Sequence, residues 1–292
     1  MMHSLFPQRY MLYLFTFVIF AFNAEAAPFF SSPNSNLNSI ASPWIPSSQS
    51  SSRNAKTNSN PPFPHRKRQF ATFGPHLSLG QTESEYIKLT TTFIPGRPPA
   101  TATGSLFIWP GFFDQKNRSE GDLVQTVAEF HNSSTMKDTC GAGPGQWCIR
   151  PFVVSKSYIS QTPERGRAID GGDAIRLEYV KAPGEGGSWN QSIWNGSKGG
   201  ERLFSYVKGS ARCKWFEIAT ESQGGNKGSA DTQFYYNTTL VLKDPDPKLG
   251  ERFITTGDIK ATKPVTTDGG RNWFIEKVEV PPMLPGTAWK PG

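Results

Sequence analysis

Histidine is scarce in this chain, with four residues in 292. His3 and His65 lie near the start, which leaves His76 and His131 for the rest of the sequence. There is no short-spaced histidine pair and no Cys-x-x-Cys, so a zinc-type site lacks its usual ligand spacing. Gly-x-Ser-x-Gly is missing, and two histidines leave a hydrolytic triad little choice of base. The glycine-rich pieces match neither a P-loop nor a dinucleotide fingerprint. An EF-hand loop is also missing, which leaves open a structural calcium held by carboxylates and carbonyls. Past the first residues, no apolar run approaches the roughly 20 residues of a membrane-spanning helix.

What is present divides the chain in three. Residues 1–26 read as a signal peptide: Arg9, the apolar run Met11–Phe22, then Ala24-Glu25-Ala26 as a small-x-small cleavage site. Residues 27–68 are mostly Ser, Asn, Pro and Ala, a composition too poor in apolar surface to offset the entropy of ordering. This leader ends in His65-Arg66-Lys67-Arg68, which reads either as a solvated basic cluster or as a dibasic processing site. Residues 69–292 form the working domain, which is expected to be secreted and monomeric. The net charge of +7 is concentrated in the leader: six of the 31 basic residues and one of the 24 acidic ones fall in residues 1–68, leaving +2 for the domain. That balance suggests neither nucleic acid nor an anionic membrane as a partner.

Within the domain, period-2 segments alternate with Gly, Pro and Asp clusters. Tyr86–Pro95, Ser105–Pro110, Arg202–Val207, Lys214–Ala219, Gln233–Lys243 and Asn272–Val280 read as strands. Asp173–Val180 puts Ile175, Leu177 and Tyr179 on one face and Arg176 and Glu178 on the other. Many short strands without long helices predict an all-β fold, an antiparallel jelly-roll sandwich of the concanavalin A-like kind. Gly121–Phe130 fits two patterns. Leu123, Val127 and Phe130 have helical spacing, yet Leu123, Gln125 and Val127 would share one face of a strand.

All three cysteines lie in the domain. Cys140 and Cys148 flank a Gly/Pro turn and can close a small loop, leaving Cys213 as a buried or reactive thiol. Asn117, Asn132, Asn190, Asn195 and Asn237 head Asn-x-Ser/Thr sequons, so they are glycan candidates in a secreted chain. Gly145–Val154 reads as a strand carrying Gln146, Cys148 and Arg150 on one face. That face is either the wall of a polar cleft or an edge in water.

Paired carboxylates for glycoside cleavage would sit at i, i+2 or i+4 on one strand. Glu276 and Glu279 fall on opposite faces, and Asp244 and Asp246 fall in a turn. What remains is a polar and aromatic set: Gln125, Gln146, Arg150, Tyr235, Tyr236, Asn237 and tryptophans such as Trp109. Aromatic faces stack on sugar rings, while amides and Arg bind hydroxyls and carboxylates. Each of these residues is equally at home in a core or on a half-buried strand.

The order of "GSLFIWPG", "GDLVQTV", "CGAGPGQWCIR", "YYNTTLVL" and "RNWFIEKVEV", from about Ser84 to Val280, resembles the fungal glucuronan lyase family and its concanavalin A-like relatives. The resemblance implies a secreted jelly roll with a concave, acidic-polysaccharide-binding face and, in some members, calcium. It also implies β-elimination, which needs a group to neutralise the uronate, a base and an acid. In that family a Gln, a His and a Tyr do this work. Carried over, Gln125 becomes the neutraliser and Tyr235 or Tyr236 the base or acid. Trp109, Gln146, Arg150 and Asn237 become substrate-binding residues. No His lies between Leu77 and Phe130: His76 precedes the early strands and His131 follows them, so the catalytic histidine is not placed, and His131 stands as the candidate beside His76. The rival readings are a lectin-like relative without catalysis and a cell-wall or host-interaction protein.

Overall fold

The computed structural model describes residues 72–284, apart from 102, 115–122, 155–159, 185–186, 210–211 and 227. The signal, the leader, Lys67-Arg68 and Asn117 lie outside the described residues. In chain order the first strands are β1 (Thr72–Ser78), β2 (Tyr86–Ile94), β3 (Ser105–Phe113) and β4 (Leu123–Phe130). A short helix, α1 (Ser133–Cys140), precedes β5 (Gln146–Val154), β6 (Ser160–Gln161), β7 (Arg167–Asp170), β8 (Ile175–Lys181) and β9 (Trp189–Asn195). The chain continues with β10 (Glu201–Lys208), β11 (Trp215–Gln223), β12 (Gln233–Leu242), β13 (Ile254–Thr255), β14 (Lys260–Ala261) and β15 (Asn272–Val280).

These strands form two antiparallel sheets. The first runs β13-β1-β11-β3-β4-β5-β6, with β7 also paired to β5; the second runs β10-β9-β8-β2-β12-β15-β14. The all-β antiparallel sandwich of the jelly-roll class expected from the turn spacing is therefore the fold. No helix among the described residues is long and apolar enough to cross a membrane.

Large side chains from both sheets fill the space between them. Phe112 of β3 is fully buried, with its ring centroid 4.8 Å from Tyr86, 5.3 Å from Trp189, 5.7 Å from Phe216 and 6.1 Å from Tyr179. Burying one such side chain contributes roughly 1.5–3 kcal/mol, so this cluster contributes several kcal/mol to the packing of the two sheets. The alternation read in β8 is present: Ile175, Leu177 and Tyr179 are buried, Arg176 is exposed and Glu178 is half-buried.

The ambiguous segment is a strand. All eight residues of β4 are buried. Val124, Ala128 and Phe130 enter the core between the sheets, while Leu123 and Val127 join Trp109, Phe113 and Ala219 in a second apolar cluster. A strand buried on both faces, with polar and apolar residues mixed on its outer side, loses its period-2 signal, which is why helical spacing could compete. The helix lies just beyond it. Asn132 caps α1 by accepting from the Thr135 N–H at 3.0 Å. Gly141 ends it at φ 76°, a left-handed position where glycine carries no Cβ penalty.

Cys140, at the end of α1, is bonded to Cys148 of β5. Cys213 is buried in the core between the sheets.

Candidate active site

Alternation along the strands of the first sheet gives it an outer face, turned away from the second sheet. Trp109 and Gly111 of β3, Gln125 and Glu129 of β4, Arg150 of β5, and Glu217, Glu221 and Gln223 of β11 share that face by register. Here the apolar residues of the second cluster surround buried polar groups, and the chemistry is concentrated in this layer.

One register row sets the central geometry. Gln125 pairs with Gly111, and Gly111 pairs with Glu217. The two outer residues are therefore two strand spacings apart, roughly 10 Å between backbones. Nothing projects from the position between them. A Cβ added at Gly111 would lie 2.9 Å from the Gln125 Cβ and 3.0 Å from the Val124 oxygen. Glycine thus lets Gln125 pack closely over β3, in the same outer row as the Glu217 carboxyl. The Gln125 Oε1 atom is buried and has no hydrogen-bond partner among the described residues.

The two glutamates of β11 are poised as acids. Desolvation first, and the Glu221 charge second, push the Glu217 carboxyl up to about 8. Desolvation also raises Glu221, to about 7, against two opposing contacts. Gln223 Nε2 donates to Glu221 Oε1 at 2.6 Å. The Trp109 indole N–H approaches the same carboxyl without the alignment of a full hydrogen bond. Glu217 is half-buried, whereas Glu221 is 2% exposed. Glu217 is accordingly the carboxyl that a substrate can meet, and Glu221 is its held companion.

A second polar group lies on the same face. Glu129 is 2% exposed and forms an ion pair with Arg150 Nε at 2.6 Å. His131 Nε2 is 3.0 Å from Glu129 Oε2, and His131 Nδ1 is 2.7 Å from Ser105 Oγ. Burial pushes the Glu129 carboxyl up, but the His131 hydrogen bond and the Arg150 charge outweigh it, so it lies below its usual value. The Arg150 guanidinium also stacks over Phe152, 4.9 Å from the ring centroid.

The structure brings Gln125, Trp109, His131 and Arg150 to this one face and separates them from the other expected site residues. Tyr235 is fully buried between the sheets, stacked on Phe93 at 4.8 Å, and its hydroxyl donates to Gln233 Oε1 at 3.3 Å. Burial holds that phenol well above its ordinary value, so it has neither the access nor the acidity of a base or acid. Tyr236 lies on the outer side of the second sheet, half-buried and stacked on Phe234. Asn237 is exposed beside it at φ 52°, where the β12–β2 register shifts. Gln146 braces a turn instead of lining a cleft, accepting from the Gly143 N–H at 2.9 Å and donating to Asp170 at 2.7 Å. Asn132 and Asn237 are exposed and Asn190 is half-buried. Asn195 is buried, and its Nδ2 donates to Asp173 at 2.7 Å. Among the described residues no group of three or more His, Cys, Asp or Glu is arranged to hold a metal ion, so the calcium expectation finds no ligand cluster there.

No protein-family model matches the chain, and no curated protein matches it. Solved structures do match. Scytalido-glutamic peptidase with a peptide-based transition-state analog is 11% identical, with a TM-score of 0.45, over 71% of this chain and 98% of that one. SCP-B, a member of the Eqolisin family of peptidases, in complex with the tripeptide Ala-Ile-His, is 11% identical, with a TM-score of 0.44, over 72% of this chain and 98% of that one. Scytalido-glutamic peptidase with a transition-state analog inhibitor is 12% identical, with a TM-score of 0.45, over 71% and 98%. These are peptidases, and the resemblance to glucuronan lyases is corrected on that finding. The polyuronate lyase reading, its lectin-like rival and the acidic polysaccharide partner fall with it. The chain's own geometry agrees, because Tyr235 is buried between the sheets and Tyr236 lies on the outer side of the second sheet, both apart from Gln125.

Proposed function

We propose that this chain is a secreted peptidase that works as an acid, with Glu217 as the proton donor and acceptor and Gln125 as the residue that orients water. One observation carries the reading: a carboxyl held neutral by burial and an unpartnered carboxamide oxygen share one register row of the outer face, with only Gly111 between them. An amide nitrogen leaves only when it is protonated, and a carboxyl that stays neutral up to about 8 can deliver that proton.

Glu217 gives its proton to the scissile carbonyl oxygen as a water oxygen bonds to the carbonyl carbon. The carboxylate so formed takes a proton from that water, leaving a neutral gem-diol. Glu217 then passes the proton to the amide nitrogen as the C–N bond breaks, and it recovers one from a gem-diol hydroxyl. Gln125 Oε1 accepts the O–H of the attacking water and aims its lone pair. Glu221, fixed by Gln223 and Trp109, helps keep Glu217 protonated, because two like charges in a desolvated layer oppose ionisation. Secretion is supported by the basic, apolar and small-residue order of residues 1–26 and by the Cys140–Cys148 bond.

The test is hydrolysis of a denatured protein substrate from acid to alkaline pH, followed by labelling of new amino termini. Cleavage in acid that disappears in Glu217→Gln and in Gln125→Ala is the expected result. If the folded wild-type protein cleaves no substrate, or if Glu217→Gln retains full activity, the reading is overturned.

A further inference from the structure

The Ser105–His131–Glu129 group is not used by the proposed peptide hydrolysis, yet it has the parts of a nucleophile relay. Glu129 is buried, held below its ordinary value and clamped by Arg150, so it stays ionised and can only accept hydrogen bonds. In the neutral ring this places the His131 proton on Nε2, toward Glu129 Oε2 at 3.0 Å. His131 Nδ1 then carries the lone pair, and the Ser105 hydroxyl donates to it at 2.7 Å. Nucleophile, base and orienting carboxylate thus stand in series, with the two ring nitrogens exchanging their usual roles. Phe107 meets the His131 ring edge-on at 5.4 Å and fixes its plane. Ser105 is half-buried, so a small electrophile can reach it.

An acyl transfer also needs a donor for the developing oxyanion. Ser105 pairs in register with Gln223, which puts the two side chains on one face about 5 Å apart at Cβ. Gln223 Nε2 uses one N–H on Glu221, and its second N–H is directed to no described partner.

The geometry points to a second reactive centre, in which Ser105 is a nucleophile for small acyl or phosphonyl electrophiles, His131 is its base and Glu129 is a positioning residue. For an aryl ester, Ser105 Oγ bonds to the acyl carbon while His131 Nδ1 takes the hydroxyl proton. The C–O bond to the aryl group breaks, and that proton leaves with the phenol. A water oxygen then bonds to the acyl carbon and gives a proton to His131 Nδ1; the C–Oγ bond breaks, the carboxylic acid leaves, and His131 returns that proton to Ser105 Oγ.

The experiment treats the full chain at neutral pH with a fluorophosphonate probe and maps the adduct by mass spectrometry. The expected result is one adduct, on Ser105, absent in Ser105→Ala and formed about a hundredfold more slowly in His131→Gln. Peptide cleavage by Ser105→Ala should be unchanged, which separates this centre from the peptidase reading. An adduct only on another residue, no adduct on wild-type protein with the circular dichroism of a folded β-protein, or an equal rate in His131→Gln overturns the inference.

Discussion

Gln125 and Glu217 flank Gly111 in one register row, one from β4 and one from β11, with no side chain in the row between them. Neither residue moves independently of the sheet, because each belongs to a strand paired on both sides. The separation between amide and acid is therefore set by strand spacing and not by a loop, and rigid elements hold such a pair more accurately than loops do.

Gly111→Ala should act on catalysis more than on folding. The new Cβ would press on the Gln125 Cβ at 2.9 Å and displace the carboxamide. Overpacking of this size costs about 1–3 kcal/mol, whereas a misplaced catalytic group costs on the order of a hundredfold in rate. Thermal melting and kcat/KM measured on the same preparation distinguish the two effects.

The pH dependence follows from the two glutamates. Both carboxyls are raised from an ordinary value of 4.5, Glu217 to about 8 and Glu221 to about 7. Peptide cleavage should be present in acid and should fall as pH rises through that range. Stability follows the same sign: the contribution of these groups is complete below about 4.5 and is lost as pH rises through about 7 and then about 8. Melting temperatures should drop over that window in the wild type. In Glu221→Gln the drop should be smaller, by about 3 kcal/mol in stability.

Tyr235→Phe provides a negative control. It removes a buried hydroxyl that donates to Gln233 Oε1 and nothing on the Gln125 face. Urea denaturation should show a loss of about 1 kcal/mol, with kcat/KM for peptides unchanged.

Glycan mapping of the protein expressed through a secretory pathway should find Asn195 bare. A glycan attaches through Nδ2, the atom that Asn195 commits to Asp173 inside the fold. Asn132 and Asn237 are exposed and remain open to the transferase. A glycosylated Asn195 peptide would contradict the packing described for β9.

The strands were legible wherever one face is wet. Ile175, Leu177 and Tyr179 alternate with Arg176 and Glu178, and the structure follows that pattern. The Cys140–Cys148 pairing was legible from its turn. Of the candidate site, Gln125, Trp109, Arg150 and His131 stand out in the sequence as polar or aromatic residues, but with the chemistry of another family attached. Glu217 and Glu221 were missed although they stand four apart on one strand, the spacing sought for paired acids. The second half of β11, Ala219-Thr220-Glu221-Ser222-Gln223, has few β-branched or aromatic residues, so its strand signal fades at Ala219 and divides the pair. Tyr235 is hard to read for the opposite reason: neighbouring tyrosines in a strand point to opposite faces, and sequence does not say which of them is buried.

The bridge between Cys140 and Cys148 encloses a loop whose residues 141 and 143–145 are exposed. For a chain proposed to cut peptide bonds, an exposed loop on its own surface is a target for its neighbours. A nick between the two cysteines would leave both fragments covalently joined, with β4 and β5 still paired. Such a molecule would separate into two pieces only after reduction, and a preparation that looks intact on a non-reducing gel could already be clipped there.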